Sequence, residues 1–103
     1  MHAEIAAKRE ELADLCRRYG VARLELFGSA TRDDFDPGRS DVDFLVTFAP
    51  ATRNDLVAFA DFKEALETLL GRTVDLVERE AIEASRNFIR RRTILAAPEP
   101  VYG

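Results

Sequence analysis

The run Val42-Asp43-Phe44-Leu45-Val46-Thr47-Phe48 is apolar on both faces after its first two residues. A strand of that kind belongs inside a sheet that is covered on both sides. It therefore commits the chain to a layered arrangement of helices on a sheet. The run is headed by two aspartates, Asp41 and Asp43, one residue apart. Side chains two apart on a strand share a face, so both carboxylates point the same way. Carboxylates about 4 Å apart repel by roughly 4 kcal/mol at an effective dielectric near 20. A chain that sets such a pair beside its core needs a cation to resolve the conflict, and a divalent metal carrying phosphate is the natural candidate.

The flanking sequence supplies the rest of the layers. Ile5, Leu12, Leu15, Cys16 and Tyr19 recur at helical spacing, which predicts a helix from about Ala3 to Tyr19 that stops at Gly20. Residues 22–27 read as a first strand, and Asp33 to Ser40 as a turn-rich loop around Pro37-Gly38. A second helix is expected from about Asn54 to Leu70, with Thr52 or Asn54 as its N-cap and Gly71 as its stop. Thr73 to Val77 reads as a third strand, and Ile82 to Ala96 as a last helix ending before Pro98 and Pro100. The order helix, strand, strand, helix, strand, helix predicts one small α/β (α+β) domain over residues 1–103, with the three strands in one sheet.

Composition narrows the function classes. Hydrophobic residues at 47% and charged residues at 33% suit a folded globular chain rather than a disordered one. A net charge of −4 argues against broad nucleic-acid binding, which needs many phosphates neutralised. No apolar stretch approaches a membrane span, and the charged N-terminus does not read as a signal peptide. The one cysteine, Cys16, has no internal partner, which fits a reducing cytoplasm, and its spacing makes it a core residue. Arg86, Arg90, Arg91 and Arg92 form a basic segment that reads either as a solvated helix face or as a contact for phosphate or an acidic partner.

The residues with chemistry to offer are few. Gly28-Ser29 ends the first strand, where glycine lets a phosphate approach the backbone and the Ser29 hydroxyl can donate a hydrogen bond. Asp75 lies inside Val74-Asp75-Leu76-Val77, although aspartate is disfavoured in strands. Three carboxylates on strand positions can hold one or two hard cations, which prefer oxygen ligands. A metal pair of this kind stabilises the entering and leaving oxygens of a displacement at phosphorus. The sequence offers neither zinc ligands at useful spacing nor a Cys-His nucleophile.

Read together, Leu26-Phe27-Gly28-Ser29-Ala30-Thr31-Arg32, Ser40-Asp41-Val42-Asp43-Phe44-Leu45-Val46 and Val74-Asp75-Leu76-Val77 resemble the minimal nucleotidyltransferases of the DNA polymerase β superfamily. The chain looks most like the MNT-type antitoxins that are partnered with HEPN-domain toxins. The resemblance implies a small mixed sheet of at least three strands flanked by helices. It further implies that Asp41, Asp43 and Asp75 hold one or two Mg²⁺ ions, and that Asp75 helps deprotonate an attacking hydroxyl. Gly28, Ser29, Arg32 and Ser40 fall where the family contacts the nucleotide. One departure is the eleven-residue spacing from Ser29 to Asp41, one longer than the family commonly has, with the extra residue in the 35–39 turn. The expected activity is transfer of AMP from ATP to a tyrosine of a HEPN-type toxin within a hetero-oligomer, in the cytoplasm. The alternatives are an antitoxin that acts by binding alone and a nucleotidyltransferase of small molecules.

Overall fold

The apolar run forms β2 (Val42–Phe48), an interior strand, as its composition demands. The computed structural model describes residues 3–28 and 42–103. β1 (Val21–Phe27) pairs antiparallel with β2, and β3 (Val74–Glu78) pairs parallel with it on the other side. A short β4 (Glu99–Tyr102) lies antiparallel beyond β1, giving a mixed sheet in the order β3-β2-β1-β4. The parallel step from β2 to β3 is made through a helix, α3 (Leu56–Leu70), as parallel neighbours require.

Helices and sheet meet in one main core. Leu24, Leu26, Val42, Phe44, Val46, Val74 and Leu76 alternate onto one face of the sheet and are buried there. They are covered by α1 (Ala3–Ala6), α2 (Arg9–Arg18) and α3 through Ile5, Leu12, Cys16, Phe62, Leu66 and Leu70. Phe62 sits at the centre, edge-on to Phe48 at 6.2 Å between ring centroids and tilted against Tyr19 at 5.9 Å. Cys16 is fully buried, and loss of solvation pushes its thiol up to about 12. It therefore packs as a small hydrophobe and is no nucleophile at neutral pH.

On the opposite face of the sheet the described residues form a smaller buried cluster. There Leu45 meets Ile82 of α4 (Arg79–Glu83) and Ile94 of α5 (Phe88–Leu95), with Phe27, Val77 and Leu95 at the margin. Among the described residues, no helix is long and apolar enough to cross a membrane.

Several boundaries differ from those the sequence predicts. The first helix is two helices, broken at Ala7-Lys8, where the Lys8 ammonium donates to the Leu69 carbonyl at 2.7 Å. A cation is favoured at that C-terminal turn of α3. Asp55, rather than Thr52 or Asn54, caps α3: its Oδ1 accepts from the Val57 and Ala58 amides at 3.0 and 3.1 Å. The Thr52 hydroxyl is engaged elsewhere, donating to the Gly20 carbonyl at 2.6 Å. Asn54 has a φ of 72°, which no helical residue adopts. The last helix is likewise split into α4 and α5, the second opened by an Asn87 side chain that accepts from the Arg90 amide.

Candidate active site

The sheet face opposite the main core carries the candidate site. Phe27, Asp43 and Asp75 stand in register across β1, β2 and β3 and form one row on that face. Val74 and Leu76 on either side of Asp75 point into the main core, so Asp75 emerges on the other side and is exposed. Asp43 is half-buried between Phe27 and Asp75. Two carboxylates that the sequence separates by a whole helix are thus immediate neighbours in space. Asp41, Ser29, Arg32 and Ser40 lie outside the described residues.

Gly28 closes the row at the end of β1. Its φ of +72° is a left-handed conformation that favours glycine, and a Cβ there would run into the Asp43 carboxylate, with Cγ at 3.3 Å. The glycine thus serves the carboxylate as well as any ligand. Gly28→Ala should cost about 1–3 kcal/mol in strain and displace Asp43. Urea denaturation and a Mn²⁺ titration would read these losses, and wild-type values in both would show that the glycine is dispensable.

The oxygen donors fit a hard cation. Among the described residues no three acidic, histidine or cysteine side chains gather into a metal-holding group. Two carboxylates are enough for Mg²⁺, which keeps several waters and shares its remaining positions with substrate phosphate. A separate acidic groove of about 630 Å³ lies between α2 and α3, lined by Glu11, Asp14, Asp61 and Glu64 with Arg18. That groove lies on the far side of the main core from Asp43, and its carboxylates repel a triphosphate.

One charged residue on this face escapes sequence reasoning. Glu25 is 2% exposed, and its Oε1 accepts from Arg79 Nη1 at 2.6 Å, with Arg23 Nε at 3.5 Å. In Leu24-Glu25-Leu26 it reads as the solvent-side member of an alternating strand. Arg23 lies two residues away on the same strand, whereas the closer partner, Arg79, returns from beyond β3. The basic segment divides as well: Arg91 donates to the Glu83 and Ser85 carbonyls at the end of α4, at 3.4 and 3.5 Å. Arg86, Arg90 and Arg92 are exposed and make no ion pair among the described residues.

A family model described as a nucleotidyltransferase domain matches residues 8–96. The chain belongs to the nucleotidyltransferase domain family. A curated relative, protein adenylyltransferase MntA of Thermococcus cleftensis, is 36% identical over 80 residues, covering 78% of this chain and 75% of the relative. A solved structure described as a minimal nucleotidyltransferase superposes with a TM-score of 0.72 at 35% identity, covering 92% of this chain and 90% of the other. A complex of a tri-AMPylated Shewanella oneidensis HEPN toxin with MNT antitoxin shares the fold, with a TM-score of 0.64 at 19% identity over 96% of this chain and 72% of that one. The family carries nucleotidyl transfer, so the chain is a nucleotidyltransferase of the minimal, MntA-like kind.

Proposed function

We propose that the protein is a Mg²⁺-dependent adenylyltransferase that moves AMP from ATP to a tyrosine hydroxyl of a HEPN-type toxin, and that this modification neutralises the toxin. The observation that carries the reading is the register of Asp43 with Asp75 on one sheet face, with Gly28 against the Asp43 carboxylate. The MntA relative, itself named a protein adenylyltransferase, supports a protein as the acceptor. The likeness in fold to an MNT antitoxin complex with an AMPylated toxin supports the partner class.

In this reading Asp41, Asp43 and Asp75 hold the metal, and Gly28, Ser29, Arg32 and Ser40 contact the nucleotide. When bound, Mg²⁺ supplies charge neutralisation of the triphosphate and polarises the reacting phosphoryl group. The acceptor oxygen forms a bond to the α-phosphorus while the bond from that phosphorus to the bridging oxygen of the β-phosphate breaks. Pyrophosphate leaves and AMP is joined to the acceptor. Asp75, exposed at the edge of the sheet, takes the hydroxyl proton. Gly28 keeps side-chain bulk away from the Asp43 carboxylate, and the rigid strands fix the carboxylates before substrate arrives.

The test uses ATP labelled on either the α- or the γ-phosphate, incubated with the protein, Mg²⁺ and a purified HEPN-type partner from the same operon. Label from the α-position should appear on the partner with an equal amount of pyrophosphate released. Transfer of γ-label would make the reaction phosphorylation. Transfer of AMP to a small hydroxyl compound and to no protein would reassign the acceptor. No transfer to any acceptor would overturn the reading.

A further inference from the structure

β3 carries Asp75 yet is the least supported strand that the candidate site uses. It is five residues long and, among the described residues, lies at the sheet edge and is paired by β2 alone. Edge elements with few partners open locally at low free energy. A site that depends on Asp75 facing Asp43 therefore needs that strand pinned, and the structure pins it at both ends. At its start, the Val74 amide donates to the Glu67 carboxylate of α3 at 3.0 Å. At its end, Arg79, the residue next after Glu78, reaches back to Glu25.

The second tie crosses the sheet. In the order β3-β2-β1, Glu25 lies two strands away from β3. Two strand spacings amount to about 10 Å. Glu25, Leu45 and Val77 stand in register in the row next to Phe27, Asp43 and Asp75 on the same face. The Arg79 guanidinium therefore passes over the Leu45 row and closes on a carboxylate that is 2% exposed, and Glu83 lies beside it at 3.6 Å. A buried ion pair is a poor source of stability, because desolvation offsets most of the attraction. Hydrophobic residues of similar size would hold the sheet as well. What they would not supply is a directional tie fixing the end of β3 relative to β1.

We propose that Glu25 and Arg79 are positioning residues for nucleotidyl transfer: their ion pair clamps β3 across β2 and holds Asp75 in register with Asp43. The inference rests on the reading of Asp43 and Asp75 as the metal-holding pair. It assigns a function to the buried carboxylate that the strand pattern leaves unexplained.

The decisive variant is the double substitution Glu25→Leu/Arg79→Met, which removes both charges together and leaves neither one stranded. Its melting temperature should equal or exceed that of the wild type. Its Mn²⁺ affinity, read by electron paramagnetic resonance, and its kcat for pyrophosphate release with ATP and the HEPN-type partner should fall by roughly 10–100-fold, as outer-shell changes do. Wild-type Mn²⁺ affinity and kcat in this variant would overturn the positioning role. Glu25→Gln gives an arm that needs no activity: native-state hydrogen exchange at the Asp75 and Val77 amides, which face β2, should quicken relative to β1, and unchanged protection would also overturn the proposal. Failure of the underlying reading is distinguishable, because the wild type itself would then bind no Mn²⁺ and Asp43→Asn would change nothing.

Discussion

Asp43→Asn should leave a folded protein that has lost nucleotidyl transfer by a factor on the order of a hundred to a thousand. The substitution keeps the shape of the side chain and replaces one carboxylate oxygen with an amide nitrogen, so the half-buried position beside Phe27 and Asp75 still packs. What disappears is the negative charge that a metal-bound triphosphate requires. Metal stabilisation of transition-state charge is worth several kcal/mol, and each ~1.4 kcal/mol is a factor of ten in rate. The loss should appear in kcat for pyrophosphate release, with circular dichroism and the melting curve close to those of the wild type. A variant that retains wild-type kcat would remove Asp43 from the site and leave its register with Asp75 without a chemical role.

Phe62→Ala should have the largest effect on stability, about 3–5 kcal/mol lost. Phe62 is fully buried where α3 meets the sheet, against Phe48 on one side and Tyr19 on the other. Neither neighbour can collapse into the space, since Phe48 is fixed in β2 and Tyr19 by the end of α2. Against a total stability of about 5–15 kcal/mol for a domain, the loss is a large fraction. Urea denaturation should show the midpoint falling with an unchanged slope. Because Phe62 lies across the sheet from Asp43, KM for ATP in the folded fraction should stay near that of the wild type. A loss below about 1 kcal/mol would mean that the core closes around the gap.

The sequence made the interior strand and the facing of Asp43 legible because both follow from local pattern. The apolar run Phe44-Leu45-Val46, continued by Phe48, identifies β2, and period two sets the face of Asp43. Gly71, left-handed at φ 68° where α3 ends, was equally plain. β4 was invisible: Glu99-Pro100-Val101-Tyr102 reads as a proline-broken tail. It forms because proline is tolerated on a strand with one free edge. The breaks at Ala7-Lys8 and between α4 and α5 were hidden for a different reason, since apolar spacing continues across them while side chains and caps redirect the backbone. The register of Asp43 with Asp75 and the pairing of Glu25 with Arg79 are products of strand order, on which local pattern is silent. The expectations on Asp41 and Ser29 rest on local pattern and on the family resemblance, and those on Arg32 and Ser40 on the resemblance alone.

The unequal covering of the two sheet faces has a consequence for how such a chain can change over generations. The large core, from Ile5 through Phe62 to Leu70, lies on one face, whereas Leu45, Ile82 and Ile94 are the only described residues buried in the cluster on the other. Among the described residues, substitutions on the face of Asp43 and Asp75 therefore draw little on the interactions that keep the chain folded. Domains near their stability threshold lose most variants to unfolding. Here the face that carries Asp43 and Asp75 can drift while the opposite face preserves the scaffold.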